Sequence, residues 1–168
     1  MKTIWTLILL ALFFWSSPVL AEFCTVDSES NSTSCVFKTK RAPKDAQVIV
    51  TYTQQGWSMM VAVFFKKDFA MVEGDSRVTL KGGETFDLKY VSTRRDLTLD
   101  RRMMEAPVYL VSEDLLHALS NARGKVRFWL TAENPKEVEA EFSSGLFEDL
   151  DAYVAETRMV LSELFEEK

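Results

Sequence analysis

Turn signals recur every eight to twelve residues between Cys35 and Ser112, and this spacing limits the fold more than any other feature of the sequence. Clusters such as Ala42-Pro43-Lys44-Asp45, Gln54-Gln55-Gly56 and Gly74-Asp75 separate segments rich in valine, isoleucine, threonine and aromatic residues. Those residue types fit a pleated, half-buried surface, and the clusters between them supply tight turns. A chain divided in this way is predicted to form many short strands.

The predicted strands cover residues 35–40, 47–53, 57–65, 69–73, 77–81, 84–91, 94–100, 106–110, 125–131 and 137–142. Gly82-Gly83, between two of them, is typical of a two-residue hairpin loop. The apolar run 57–65 suits either a strand buried on both faces or a buried helical segment. Its β-branched and aromatic residues, and Gly56 before it, favour the strand.

Two segments instead have helical spacing. Ser112 can cap a helix whose apolar stripe includes Leu115, Leu116 and Leu119 and which is predicted to end before Gly124. A second helix is predicted from residue 146 to the C-terminus, about 20 residues long, with Ser143 or Ser144 as its cap. The prediction is therefore one α+β domain: a mainly antiparallel β-sheet, as a sandwich or a roll, with one short helix and a longer C-terminal helix.

The N-terminus has the three parts of a secretory signal peptide: Lys2, an apolar run at 4–15 and Val19-Leu20-Ala21 before the expected cut. We predict a signal peptide at 1–21 and the single domain at 22–168. The apolar run is shorter than the roughly 20 residues of a membrane-spanning helix, although retention as an N-terminal anchor is the alternative. No later segment is long or apolar enough to span a membrane.

Charge narrows the classes of partner. The leader contains one lysine and no acid, so the chain after cleavage has 19 basic residues (20 minus 1) against 25 acidic residues, a net charge of −6. An acidic chain of this kind is disfavoured on nucleic-acid phosphates and on anionic membranes. We therefore predict no nucleic-acid partner.

Cys24 and Cys35 are the two cysteines of the chain. A lipid anchor is disfavoured because Phe23, rather than a small residue, precedes Cys24. Metal binding needs more ligands than two cysteines and the distant His117, and a redox pair usually has two residues between its cysteines rather than ten. A structural disulfide in an oxidising compartment remains, and it would pin the segment 22–35 onto the first strand.

Little in the sequence indicates catalysis. The chain contains no G-x-S-x-G, P-loop or H-E-x-x-H motif, and its single histidine, His117, lies near the apolar stripe of a helix, where a structural or surface role is expected. Glu137, Glu139 and Glu141 alternate with apolar residues as a solvated strand face does. We predict no enzyme, no metal and no cofactor; a small hydrolase with paired carboxylates is the enzymatic alternative.

The stretch "STRRDLTLDRRMMEAP" at 92–107 concentrates arginines in an acidic chain. Its four arginines are Arg94, Arg95, Arg101 and Arg102. Arginine clusters bind carboxylates and phosphates through a forked geometry, so this stretch is the candidate surface for a partner. The alternative is a hairpin whose arginines pair with Asp96, Asp100 and other neighbouring acids.

The order of the segments "GWSMMVAV", "RVTLKGGETFDLKY", "APVYLVSEDLLHALSNARGKVRFWLTAE" and "VEAEFSSGLFEDLDAYV" resembles the invasion-associated locus B family of bacterial exported proteins. The resemblance lies in the helical "LLHAL" motif and in the glycine that opens the last helical segment. It implies an antiparallel β fold flanked by helices, in a non-enzymatic periplasmic or envelope-associated domain. We expect a periplasmic or secreted binding protein whose partner is a protein or an envelope component, or alternatively an inhibitor or immunity protein that blocks an enzyme.

Overall fold

The computed structural model describes residues 23–27, 32–39, 46–53, 55–66 and 68–166. The predicted signal peptide at 1–21 lies outside the described residues, as do Glu22 and the predicted turn at 42–45. The fold below is that of the described part of the chain.

Nine strands and two helices occupy the described residues. The strands are β1 (Cys24–Asp27), β2 (Ser32–Lys38), β3 (Ala46–Thr53), β4 (Gly56–Phe65), β5 (Ser76–Thr79), β6 (Thr85–Leu97), β7 (Met103–Leu110), β8 (Lys125–Thr131) and β9 (Glu137–Ser143). The helices are α1 (Glu113–Ser120) and α2 (Leu150–Glu166), and one 3-10 turn, Ser144–Leu146, precedes α2.

The strands form one sheet in the order β1-β2-β3-β4-β7-β6-β5-β8-β9, with antiparallel pairing between neighbours. Strand β6 joins the two halves of this sheet: residues 85–88 pair with β5, whereas residues 89–97 pair with β7. A shift of register between Tyr90 and Ser92 accompanies the change of partner. The predicted α+β class, with a mainly antiparallel sheet, a short helix and a longer C-terminal helix, is confirmed.

The hydrophobic core lies between the two halves of the sheet and the helices, whose buried side chains form one cluster. The strands contribute alternate residues, as their two-residue period requires; Val48 and Val50 of β3 and Val126 and Phe128 of β8 are fully buried. Helix α1 contributes the three leucines of its predicted stripe, and Ser112 caps it by accepting a hydrogen bond from Leu115 N. Those leucines are Leu115, Leu116 and Leu119.

Helix α2 fastens the start of strand β1 to this core. Glu156 Oε1 accepts hydrogen bonds from the main-chain N–H groups of Phe23 at 3.1 Å and of Cys24 at 3.0 Å. One helical turn earlier, the buried Tyr153 hydroxyl lies 3.0 Å from main-chain oxygens in β2 and β3, to which it donates. The helix therefore holds three neighbouring strands through specific polar contacts as well as through apolar packing.

The predicted disulfide between Cys24 and Cys35 is present, with an S–S distance of 2.04 Å. The two cysteines are direct partners in the β1–β2 ladder, with their Cα atoms 4.0 Å apart. The sequence predicts that this bond pins a loose segment, whereas the structure shows an ordered edge strand, β1. The pairing with β2 and the hydrogen bonds from Glu156 account for this order.

The segment 69–73, predicted as a strand, is not a strand. Within it, the structure shows one isolated bridge, between Val72 and Ala132, and Met71 has a positive φ of 56°. The reason is a buried acid on β7: the Glu105 carboxylate accepts hydrogen bonds from Met71 N at 2.9 Å and from Val72 N at 2.6 Å. Main-chain N–H groups used in this way are not available to a strand ladder.

Other element boundaries also differ from the prediction. Strand β6 runs on to Leu97, so the separate strand predicted at 94–100 is the second half of a longer one. Helix α2 begins at Leu150 rather than at 146, because the 3-10 turn Ser144–Leu146, closed by a hydrogen bond from Phe147 N to Ser144 O at 2.9 Å, and a further turn at 147–149 precede it. Ser143 makes no capping hydrogen bond with its side chain.

Two buried tyrosines should make the stability of the protein depend on pH in the alkaline range. Burial raises the pKa of Tyr109 to about 12 and that of Tyr153 to about 12. The phenols of the unfolded chain ionise near pH 10, so the folded chain binds more protons between about pH 10 and 12. We expect the free energy of unfolding to fall in that window by up to about 1.4 kcal/mol per pH unit for each tyrosine, and to be independent of the titration of these groups below about pH 10.

Urea unfolding at closely spaced pH values between about 9 and 12 measures this slope, and Tyr109→Phe is the control because phenylalanine does not titrate. The variant should lose stability less steeply than the wild type across the same window. Equal slopes in the two proteins would contradict the assignment.

Candidate partner-binding surface

The arginine stretch at 92–107 forms a β-hairpin, called here the arginine hairpin, from the end of β6, a turn and most of β7. The two strands pair in register to Leu97 and Met103, which are opposite each other. β4 pairs with β7 as far as Phe65, which is also opposite Met103, so the turn at 98–102 extends beyond the ladders on both sides. The hairpin therefore presents its turn at one end of the sheet.

Hydrogen bonds hold this turn in one conformation. Main-chain bonds link Thr98 N to Arg102 O and Arg101 N to Thr98 O, each at 2.9 Å. The Thr98 hydroxyl also accepts from Arg102 N at 3.0 Å and bonds to the Asp100 carboxylate. The hydrogen bond from Thr98, followed by that from Arg102, lowers the pKa of Asp100, so this carboxylate stays ionised at neutral pH.

Arg102 attaches the turn to the neighbouring strand. Its Nε donates to Asp100 Oδ2 at 2.6 Å, and its guanidinium carbon lies 4.9 Å from the centre of the Phe64 ring on β4. Such a cation–π contact stabilises the position of the arginine through the quadrupole of the ring. Arg102 therefore acts within the fold, as the alternative interpretation of the arginine stretch expects.

Arg95 also points into the protein. Its Nη2 donates to Glu73 Oε1 at 2.8 Å, and its Nε lies 3.8 Å from Oε1 of Glu105, whose carboxylate is fully buried. The hydrogen bond to Glu73 is the largest cause of the raised pKa of Arg95. This arginine supplies the positive charge that a buried carboxylate needs, and it fixes the segment around Glu73 against the sheet.

Arg94 and Arg101 are the exposed members of the cluster. The side chain of Arg94 is 72% exposed, and its contact with Asp96 is long, at 3.3 Å. Arg101 is exposed in the turn, has a positive φ of 61°, and makes no ion pair among the described residues. The structure therefore divides the four candidate arginines into two that face solvent and two that support the fold.

Two leucines of the arginine hairpin were not among the candidate residues. Leu97 is 60% exposed and Leu99 is 107% exposed, the highest exposure of any large apolar side chain in the described part of the chain. Their spacing in "DLTLDRR" matches the alternation of a half-buried strand, and both lie within the strand predicted at 94–100. One signal in the sequence could have indicated their exposure. The two leucines lie between charged residues on both sides, and a segment with so many charges is unusual for a buried strand.

The other sequence candidates lie apart from this surface. His117 is 74% exposed on α1, and its Nδ1 lies 2.6 Å from Asp151 Oδ1 on α2, so it joins the two helices. Glu137 pairs with Arg77 at 2.9 Å, and the remaining acids of β9 pair with cations of β8. These acids form the outer strand face that the sequence predicts, and each makes an ion pair with a basic side chain.

In comparisons with protein-family models, curated proteins and solved structures, the chain gives no significant match. Across residues 23–166, where described, no three side chains of histidine, cysteine, aspartate or glutamate are grouped as metal ligands would be. No helix in the same part of the chain combines the length and the apolar character needed to cross a membrane. Functional inference therefore starts from the arginine hairpin and the disulfide.

Proposed function

We propose that the protein is an exported, non-enzymatic binding protein of the periplasm or the extracellular space, similar to the invasion-associated locus B proteins. The signal-peptide pattern at 1–21 supports export, and the disulfide between Cys24 and Cys35 agrees with it because such bonds persist in oxidising compartments. Its partner is a protein or an envelope component with an acidic surface.

The observation that carries this proposal is the exposure of Arg94 and Arg101 on a hairpin whose turn is held rigid. Rim charges of this kind accelerate association and fix orientation more than they add affinity. The chain has a net charge of −6 after cleavage of the leader, so exposed cations are conspicuous on it. Arg94 contacts Asp96 at 3.3 Å, whereas Arg101 makes no ion pair within the described residues, so Arg101 in particular can meet an acidic group of a partner.

The rigid turn favours a second candidate, an inhibitor or immunity protein that blocks an enzyme. A loop already held in its bound conformation loses little conformational entropy on binding, which is the usual basis of tight inhibition by protruding loops. The bonds among Thr98, Asp100 and Arg102 provide that preorganisation here. If an enzyme co-purifies with this chain and loses its activity in the complex, the protein is an inhibitor or immunity protein.

The double variant Arg94→Ser/Arg101→Ser tests the binding surface. Both side chains are exposed, so we expect the free energy of unfolding to change by no more than about 0.5 kcal/mol. Affinity for a partner recovered from a periplasmic or envelope extract should fall by about tenfold, mainly through slower association, and the salt dependence should weaken. Surface plasmon resonance at two salt concentrations measures both effects.

A matched control removes two exposed cations elsewhere: Lys81→Ser/Arg123→Ser. Lys81 lies in the β5–β6 turn, at the opposite end of the 13-residue strand β6 and thus about 40 Å along the strand from the arginine hairpin. This variant should bind as the wild type does. If both double variants bind the partner with unchanged affinity and association rate, the arginine hairpin is not the binding surface.

A further inference from the structure

We propose that Leu99 is the anchor of this binding surface, and that it enters an apolar pocket with an acidic rim on a protein partner. This inference rests on the proposed function, which requires only that the arginine hairpin contacts a partner. To that function the inference adds two points: Leu99 is the side chain that makes the specific contact, and the partner's site for it is apolar with acidic groups at its edge.

The exposure of Leu99 is the first observation. At 107% exposure its side chain is as accessible as in an extended peptide, and Leu97, at 60%, lies two residues before it. Both leucines belong to the one hairpin that also holds the exposed Arg94 and Arg101. An apolar anchor surrounded by polar groups is the usual composition of the centre and rim of a protein interface.

The network of contacts that holds the turn is the second observation. Thr98 and Asp100, on either side of Leu99, are joined through the Thr98 hydroxyl, and Arg102 closes the turn by bonding to Asp100 and covering Phe64. Leu99 itself takes no part in these bonds. The turn thus presents a leucine in a defined position, although no packing within the described residues accounts for an apolar side chain there.

The chemistry of the turn favours a protein pocket over a lipid bilayer. A single myristoyl chain gives only marginal membrane binding, so one leucine side chain cannot hold a protein at a membrane. Asp100 directly follows the leucine and Asp96 lies three residues before it, and the net charge of −6 opposes approach to anionic lipid. These acids are paired with Arg94 and Arg102, so Arg101 remains as the unbalanced charge, and it fits an acid on the rim of the pocket.

Substitution and site-specific photo-crosslinking together test the anchor. Leu99→Ser should bind the captured partner 10- to 100-fold more weakly, as truncation of an interface anchor does, whereas Leu99→Met should retain most of the affinity. Both variants should unfold at the wild-type urea concentration because the side chain is fully exposed. In parallel, a benzophenone amino acid is placed at position 99, 101 or 81 of the full chain expressed in its host.

The outcomes separate the anchor from the proposed function. A protein adduct from position 99 but not from position 81, with weak binding by Leu99→Ser, supports the anchor. Adducts from position 101 without adducts from position 99, or full binding by Leu99→Ser, overturn the anchor and leave the binding function standing. No adduct from either hairpin position overturns both. A lipid adduct, or an adduct with a second copy of this chain, overturns the anchor in favour of a membrane or of self-association.

Discussion

Glu105→Ala is expected to lower the free energy of unfolding by about 4 kcal/mol. The Glu105 carboxylate has no solvent exposure, and it accepts the N–H groups of Met71 and Val72 while Arg95 lies 3.8 Å away. Alanine would leave the buried Val72 N–H and the partly buried Met71 N–H without their acceptor and remove a counter-charge of Arg95. Removal of one member of a buried charged pair costs about 3–5 kcal/mol for this reason.

Urea unfolding followed by tryptophan fluorescence measures this loss, since Trp57 is buried in the core. Glu105→Gln should fall between alanine and the wild type, because an amide can accept from one N–H while its own NH₂ group faces the other. Glu139→Ala, which removes an acid with a side chain 43% exposed on β9, is the control and should cost less than about 1 kcal/mol. Equal losses for Glu105→Ala and Glu139→Ala would show that the buried contacts contribute little.

Replacement of Cys24 and Cys35 by serine is expected to lower the free energy of unfolding by about 3 kcal/mol. A cross-link that closes a loop of this length restricts the unfolded chain by roughly that amount on the chain-entropy estimate. The loss should be accompanied by faster hydrogen exchange in β1, because this edge strand would then depend on its pairing with β2 and on two hydrogen bonds to Glu156. Urea unfolding and amide exchange measure the two effects.

A reductant provides the matching control for this prediction. Dithiothreitol should destabilise the wild type by the same amount and leave the double serine variant unchanged. A wild type whose thiols have been reduced, as alkylation verifies, but whose unfolding midpoint does not move would contradict the assigned role of the bond.

Much of the sheet was predictable because its strands alternate apolar and polar residues between recognisable turns. Strand β8 lies at the predicted bounds, 125–131, and β9 extends the predicted strand 137–142 by one residue. The boundaries that were wrong depend on long-range contacts. The segment 69–73 has strand-like residues, but Glu105, more than 30 positions later, takes its N–H groups. Local patterns contain no information about such a contact.

The candidate surface was predictable as a segment but not as a set of residues. The arginines in 92–107 are conspicuous against an acidic background, yet their spacing does not show which of them face solvent. The register of β6 and β7 and the contacts around it decide this: Arg95 is opposite the buried Glu105, whereas Arg94, opposite Ala106, keeps a side chain that is 72% exposed. Leu99 was missed because a leucine two residues after another is ordinarily assigned to a buried strand face.

The contact between Glu156 and the start of β1 has a consequence for the order of events during maturation. The expected cleavage bond, after Ala21, lies two residues before Phe23, whose N–H is held by helix α2 from the far end of the chain. A signal peptidase needs an extended, accessible strand of substrate on both sides of the bond it cuts. We therefore expect cleavage of the predicted leader to precede the docking of α2, and a precursor that finished folding first to resist processing.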